Sequence, residues 1–112
     1  MSRRFKFGNK PTVVDGEHFH SKREAKRWGD LRMLQRAGEI RNLARQVKYL
    51  LDVNGVRIAT YTADFVYDQR KLIAGDPWWE PVVEDVKGYP NDRWPMKKKL
   101  MKAIHGIEIL ET

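Results

Sequence analysis

The sequence contains no cysteine and only three histidines among its 112 residues. The absence of cysteine excludes disulfide bonds and thiolate-bound zinc, and so few histidines need carboxylates beside them to form a metal site. No apolar run approaches the length of a membrane-spanning helix, and the N-terminal residues lack the apolar segment of a signal peptide. We therefore expect a cytoplasmic protein.

Charge of one sign is in excess in this chain. It has 22 Lys and Arg residues against 15 Asp and Glu residues, which gives a formal net charge of +7. On so small a protein this charge favours a polyanionic partner, most often a nucleic acid. A basic surface that is merely well solvated is the alternative that charge alone leaves open.

The chain divides into a short arm and one domain, because its length suits a single hydrophobic core. Residues 1–12 are basic and without periodicity, which predicts a flexible arm, and residues 13–112 form the domain. A short strand or hairpin is expected near the start of that domain, turning at Asp15-Gly16. Ser21 and Glu24 then fit a capping box, and with Gly38 as a stop they predict a helix over residues 21–37.

Strand patterns dominate the rest of the chain. Asn54-Gly55 is the strongest hairpin signal in the sequence and joins the first two long strands. A polar connection over residues 69–76 leads to a third strand, antiparallel to the second, and the element order is αβββαβ. The predicted elements are strands at residues 46–53, 56–68, 79–87 and 107–110, and a second helix at residues 96–105.

Two carboxylates stand where apolar residues are expected, Asp64 in the second strand and Asp85 in the third. Side chains alternate along a strand, so Asp85 and Lys87 point to one face and Glu84 to the other. Charges grouped on one half-buried face are costly, and a divalent cation facing a phosphate would account for them. A solvated face on which the aspartates pair with Lys87 is the alternative.

These residues suit phosphodiester hydrolysis. Magnesium takes few protein ligands, so Asp64, Asp85 and the backbone carbonyl of Val86 are enough for one ion. Lys87 would orient or deprotonate the attacking water. Glu24 could add a helix carboxylate to the metal site, although its capping role explains it equally well.

Other polar and aromatic residues are better explained by structure than by function. Gln46 could be a site residue, but a polar residue at a strand end is the favoured interpretation. His18-Phe19-His20 is interpreted as a surface segment rather than a metal site. His105 suits the C-terminus of a helix electrostatically. Trp78-Trp79 could stack on bases, but half-buried packing is the favoured interpretation.

Positive charge is dense on both predicted helices, which favours contacts with phosphates. The residues expected to contact the phosphates of a nucleic acid are Lys22, Arg23, Lys26, Arg27, Lys97, Lys98, Lys99 and Lys102.

The element order, Asp64, Asp85-x-Lys87 and the helix residue Glu24 resemble the PD-(D/E)xK nuclease superfamily. Residues 21–25, 46, 61–67, 83–88 and 97–101 resemble, more narrowly, a family of small phage-encoded proteins of this superfamily, and the likeness spans residue 13 to the C-terminus. Ala63 stands where the superfamily name has proline, a substitution that many members tolerate.

The resemblance implies a restriction-endonuclease-like α/β core, with a mixed sheet flanked by helices. It further implies a DNA endonuclease dependent on Mg²⁺ or Mn²⁺, in which Asp64 and Asp85 hold the metal, Lys87 is the catalytic lysine and Glu24 is the helix carboxylate. We expect branched or structured DNA as substrate, as for Holliday-junction resolvases, a homodimer, and a bacterial host that is phage-infected or carries a prophage. The alternatives are a non-catalytic nucleic-acid-binding module and a phage accessory protein on the same fold.

Overall fold

The computed structural model describes residues 11–14, 16–86 and 93–112. The predicted hairpin before the first helix is confirmed. Strands β1 (Thr12–Val14) and β2 (Glu17–Phe19) pair antiparallel as a small sheet of their own. Most of the predicted basic arm, residues 1–10, lies outside the described residues, as do Asp15 and Lys87.

Helix α1 (Lys22–Arg36) begins and ends close to the predicted bounds. Its N-cap is Ser21, whose Oγ accepts a hydrogen bond from the main-chain N–H of Glu24 at 3.1 Å. Beyond the helix, Gly38 has a φ of +81°, a left-handed conformation that lets the chain turn away. The Glu24 side chain does not complete the predicted capping box by bonding back to Ser21, and its carboxylate turns to other partners.

The main sheet has four strands in the order β3-β4-β5-β6. The first three are antiparallel, and β6 lies parallel to β5 after a crossover that contains helix α2. This arrangement confirms an α/β fold with a mixed sheet. The elements are β3 (Ile40–Val53), β4 (Val56–Ile73), β5 (Asp76–Asp85), α2 (Trp94–His105) and β6 (Leu110–Glu111).

The strands are longer than the sequence predicts. Strand β3 starts at Ile40 rather than at residue 46, and the predicted polar connection over residues 69–76 is wrong. Strands β4 and β5 continue through that segment and meet at the two-residue turn Ala74-Gly75, whose φ angles are +53° and +85°. Alanine seldom adopts this conformation, so the sequence carries only a weak signal for the turn.

Smaller corrections concern the C-terminal third. Helix α2 begins at Trp94 rather than residue 96, with Pro95 in its first turn, where the missing N–H of proline is harmless. The last strand is Leu110–Glu111 rather than residues 107–110.

Among the described residues, no helix is long and apolar enough to cross a membrane.

Two apolar clusters among the described residues pack the helices against the sheet. They include the β4 residues immediately before and after Asp64. The first joins Phe65 to Leu31 of α1, and the second joins Ala63 to Met101 of α2. All four of these side chains are completely buried. Interiors are close-packed, so the backbone around Asp64 is held from both directions.

Candidate functional site

Strands β4 and β5 bring Asp64 and Asp85 together. Phe65 lies opposite Glu84 in this antiparallel pair, so the next position along places Asp64 opposite Asp85. Cross-strand neighbours share one face of a sheet. The main-chain N–H of Val86 donates to Asp64 Oδ2 at 2.8 Å, which fixes the carboxylate at the end of β5.

Asp85 is a partly buried carboxylate with one fixed oxygen. The Tyr61 hydroxyl donates to its Oδ1 at 2.9 Å. Burial, and then the negative charge of Asp64, raise the pKa of Asp85 to about 6. Burial also raises the pKa of the Tyr61 hydroxyl, so Tyr61 keeps its proton and remains a donor.

Glu24 reaches the same place from the first turn of α1. It is only 2% exposed, and its Oε1 accepts the main-chain N–H of His20 at 2.7 Å. Burial, and then the charge of Asp64, raise the pKa of Glu24 to about 7. The capping and site interpretations are compatible, because the cap uses the main-chain N–H of Glu24 and not its carboxylate.

Gln46 belongs to the candidate site, although the sequence analysis favours a polar strand-end residue. It is not at a strand end but is the seventh residue of β3, with a φ of +52°. Its Nε2 donates to Glu24 Oε2 at 3.1 Å and to Asp64 Oδ1 at 3.4 Å, so one amide bridges two carboxylates. A left-handed residue other than glycine costs about 1–3 kcal/mol, and such strain concentrates at functional sites.

Removing this bridging amide is expected to destabilise the metal-free protein. Gln46→Ala should lose about 1–3 kcal/mol of unfolding free energy at pH 8, because the buried Glu24 and the partly exposed Asp64 lose their shared donor. Gln46→Gly should lose less, since glycine adopts the left-handed backbone without strain. Urea denaturation in the presence of a chelator measures both variants.

Gln69→Ala is the matched control for that measurement. Gln69 lies on the neighbouring strand, and its amide makes one long hydrogen bond, to the Glu39 carbonyl at 3.4 Å. We expect it to change the unfolding free energy by less than about 0.5 kcal/mol. A Gln46→Ala variant as stable as the wild type would mean that the amide contributes nothing to holding the carboxylates.

Glu84, adjacent to Asp85, has a different environment. It is completely buried, and the Arg27 guanidinium binds both of its oxygens, at 2.6 and 3.0 Å. The Tyr67 and Thr112 hydroxyls also donate to it, at 2.7 and 2.8 Å. Burial opposes its ionisation, but Arg27 and these hydroxyls lower the pKa of Glu84 below its ordinary value. The carboxylate that remains open to a ligand is therefore Asp85.

The cations predicted to bind DNA differ in how firmly the protein itself holds them. Arg27 is bound to the buried Glu84, so the structure makes it a structural residue rather than a phosphate contact. Three lysines make exposed ion pairs, which contribute little and can exchange for a phosphate: Lys26 with Asp30, Lys98 with Glu111 and Lys102 with Glu108. Arg23 donates to the Thr112 carbonyl at 3.0 Å. Within residues 11–14, 16–86 and 93–112, no ion-pair partner is found for Lys22, Lys97 or Lys99.

The remaining candidates have mostly structural contacts. His105 Nε2 lies 2.9 Å from the Leu50 carbonyl, and Arg41 stacks at 4.3 Å from the ring centroid of the half-buried Trp79. Trp78 is 39% exposed. His20 differs from these, because its ring lies beside Glu24 and Asp64. Lys87 was predicted to complete the site and lies outside the described residues.

A family profile described as "Protein of unknown function (DUF1064)" matches residues 4–106. The chain belongs to this family. No curated protein and no solved structure matches it. The DUF1064 match contains Glu24, Gln46, Asp64 and Asp85, but the family description names no activity, so the function has to be argued from the site.

Proposed function

We propose that this DUF1064 protein is a metal-dependent endodeoxyribonuclease of the PD-(D/E)xK type. The observation that carries the proposal is the convergence of Glu24, Asp64 and Asp85, three carboxylates from a helix and two strands. In the described part of the chain, none of the three forms an ion pair with Lys or Arg. Arg45 offsets only part of their repulsion at Glu24, and partly buried carboxylates without a paired cation suit a site that takes up a metal ion.

The donor set fits a hard divalent ion. The protein positions these carboxylates through the Val86 N–H, the Tyr61 hydroxyl and the His20 N–H, while the second oxygens of Glu24 and Asp64 share the Gln46 amide. The remaining oxygens are of the kind that Mg²⁺ and Mn²⁺ prefer. Val86 would add its main-chain carbonyl, as the sequence predicts.

When bound, the ion would neutralise charge on the phosphoryl oxygens and lower the pKa of a bound water. Asp64 and Asp85 would hold it between β4 and β5, and Glu24 would bind it directly or through water. Before an ion binds, Gln46 keeps Glu24 and Asp64 at a fixed separation. Lys87, two residues after Asp85 in the sequence, is assigned to orient or deprotonate the attacking water.

DNA is the proposed substrate because of the net charge of +7 and the exposed lysines on both helices. Contacts of lysine with phosphate carry no sequence information, so recognition would depend on DNA shape. We therefore propose branched or structured DNA, with a homodimer cutting two strands symmetrically.

Cleavage of a DNA panel tests the activity. Linear duplex, single strand, flap and four-way junction are incubated with Mg²⁺ or Mn²⁺ and with wild type, Asp85→Ala or the control Asp68→Ala. Asp68 is also an aspartate of β4, but it binds Arg41 and Asn42 outside the site. We expect metal-dependent cleavage that falls at least about a hundredfold in Asp85→Ala alone.

Two results would contradict this function. Cleavage that survives in Asp85→Ala would place the chemistry elsewhere. Absence of cleavage on every substrate, together with salt-dependent DNA binding that Asp85→Ala leaves unchanged, would favour the non-catalytic binding module instead.

A further inference from the structure

His20 lies at the edge of the carboxylate group, although the sequence alone favours a surface role for it. His20, Glu24 and Asp64 each offer a ligand atom, and these three atoms lie within 4.8 Å of one another. His20 Nδ1 is 3.7 Å from Glu24 Oε1. That separation is too long for a hydrogen bond. It suits two ligand atoms that bind the same metal ion, each at about 2.1 Å from it.

Contacts of the neighbouring residues hold the backbone at His20 in place, whereas its exposed imidazole ring can rotate. The residue stands between Phe19, which is 3% exposed, and Ser21, the N-cap of α1. Arg45 also anchors this segment, donating to the His18 carbonyl at 2.8 Å and to Glu17 Oε1 at 2.9 Å. The His20 side chain is nevertheless 84% exposed, so its ring can change rotamer to adjust to a bound ion.

Gln46 contacts the same two carboxylates. Its Nε2 lies within 3.1 and 3.4 Å of the Glu24 and Asp64 carboxylates, and so the positive edge of an amide stands between two negative groups. The backbone adopts a left-handed conformation in mid-strand to put it there. An ion that displaced this N–H would gain both carboxylates, and the amide could turn its oxygen toward the ion.

We propose that His20, Glu24 and Asp64 form a binding site for a transition-metal ion, and that the His20 imidazole makes the chain prefer Mn²⁺ to Mg²⁺. The inference deepens the proposed function, and it rests on that function only in placing a metal ion at Asp64. Imidazole is a good ligand for first-row transition metals, whereas Mg²⁺ favours oxygen and binds nitrogen poorly. A site built from carboxylates alone would discriminate less between the two ions.

Metal binding without DNA tests the preference. Mn²⁺ is titrated into the metal-free full-length chain and followed by electron paramagnetic resonance, and Mg²⁺ is titrated and followed by calorimetry. The variants are His20→Ala, His20→Asp, which replaces the imidazole by a hard oxygen ligand, and His18→Ala. His18 is the matched control, an exposed histidine two residues away that does not belong to the ligand group.

The wild type and His18→Ala are expected to bind Mn²⁺ more tightly than Mg²⁺. His20→Ala should weaken Mn²⁺ binding by about 10–100-fold and change Mg²⁺ binding much less. His20→Asp should bind Mg²⁺ more tightly than the wild type does, because it adds a carboxylate oxygen, and should lose most of the preference for Mn²⁺. Loss of nitrogen hyperfine coupling to Mn²⁺ in His20→Ala would identify the imidazole as a direct ligand.

Two outcomes would overturn the inference, and neither decides whether the protein cleaves DNA. One is equal affinity for the two ions in the wild type. The other is Mn²⁺ binding that His20→Ala and His18→Ala change to the same extent, which leaves His20 as a helix-start contact of Glu24. If instead Mn²⁺ binding depends on His20 while no DNA substrate is cleaved, the metal site stands and the proposed nuclease function fails.

Discussion

Replacing Glu84 by glutamine is expected to destabilise the protein by about 3–5 kcal/mol, the usual result of removing one partner from a buried ion pair. The Glu84 side chain is completely buried and the Arg27 side chain is 29% exposed, so the guanidinium would lose its counter-ion where water replaces it poorly. Glutamine also has one acceptor oxygen, and it cannot accept from Arg27, Tyr67 and Thr112 as the carboxylate does.

Asp85→Asn is the matched variant one residue along the chain. The asparagine oxygen can still accept from the Tyr61 hydroxyl, and the repulsion between positions 64 and 85 disappears. The metal-free protein should therefore be as stable as the wild type or more stable, while metal-dependent cleavage falls at least about a hundredfold. Urea denaturation with a chelator measures the first effect, and the DNA panel measures the second.

The two substitutions separate a structural carboxylate from a functional one. Equal destabilisation by both would show that Asp85 serves the fold, and the metal site would lose its main ligand. An unchanged stability in Glu84→Gln would show that the network around Arg27 contributes little to the folded state.

The sequence predicted best those features that depend on local chemistry. Ser21 caps α1 through its own hydroxyl, and Asn54-Gly55 turns the first hairpin with φ angles of +50° and +80°. The second helix ends at residue 105 as predicted, and Gly106 after it is in the left-handed conformation, with a φ of +68°. Each of these signals lies within a few residues of the element that it bounds, so no knowledge of tertiary contacts was needed.

The role of Gln46 could not be predicted in this way, because it depends on a register shift elsewhere in the hairpin. Counting back from the pair Val53 and Val56 puts Gln46 opposite Ala63. An irregularity between Leu51 and Asp52 moves the register by one residue, and Gln46 then faces Asp64. A shift of one residue exchanges the two faces of a strand, and nothing in the sequence near residue 51 announces it.

His20 illustrates a second limit of the sequence. His20 lies in the turn before α1, and Asp64 lies in the middle of β4. The two residues are close in space only because α1 packs against the sheet. From the sequence alone, an isolated pair of histidines has no visible carboxylate partner. The position of Glu24 in the first helical turn was visible, but the side of the sheet that it would meet was not.

The last prediction concerns pH, and it follows from the raised pKa values of Glu24, about 7, and Asp85, about 6. Because both values lie above those of the unfolded chain, the folded state binds more protons than the unfolded state between about pH 4 and pH 7. The metal-free protein should therefore lose stability as pH rises through this range. The pKa of Glu84 is lowered, so its ionisation changes the stability only at more acidic pH. It does not oppose the loss of stability expected as pH rises through this range.

We expect the unfolding free energy of the metal-free protein to fall by about 3 kcal/mol between pH 5 and pH 8, most of it from the nearly inaccessible Glu24. Glu24→Gln should remove the larger part of this dependence, and it keeps the main-chain N–H that binds Ser21. Saturating Mn²⁺ should reverse the slope, because metal binds the ionised carboxylates and stabilises the folded state most at pH 8. Chemical denaturation across this range, with and without metal, measures both effects. If the unfolding free energy of the metal-free protein rises toward pH 8, ionisation of the three carboxylates does not destabilise the folded state. The main physical argument for a metal site would then be lost.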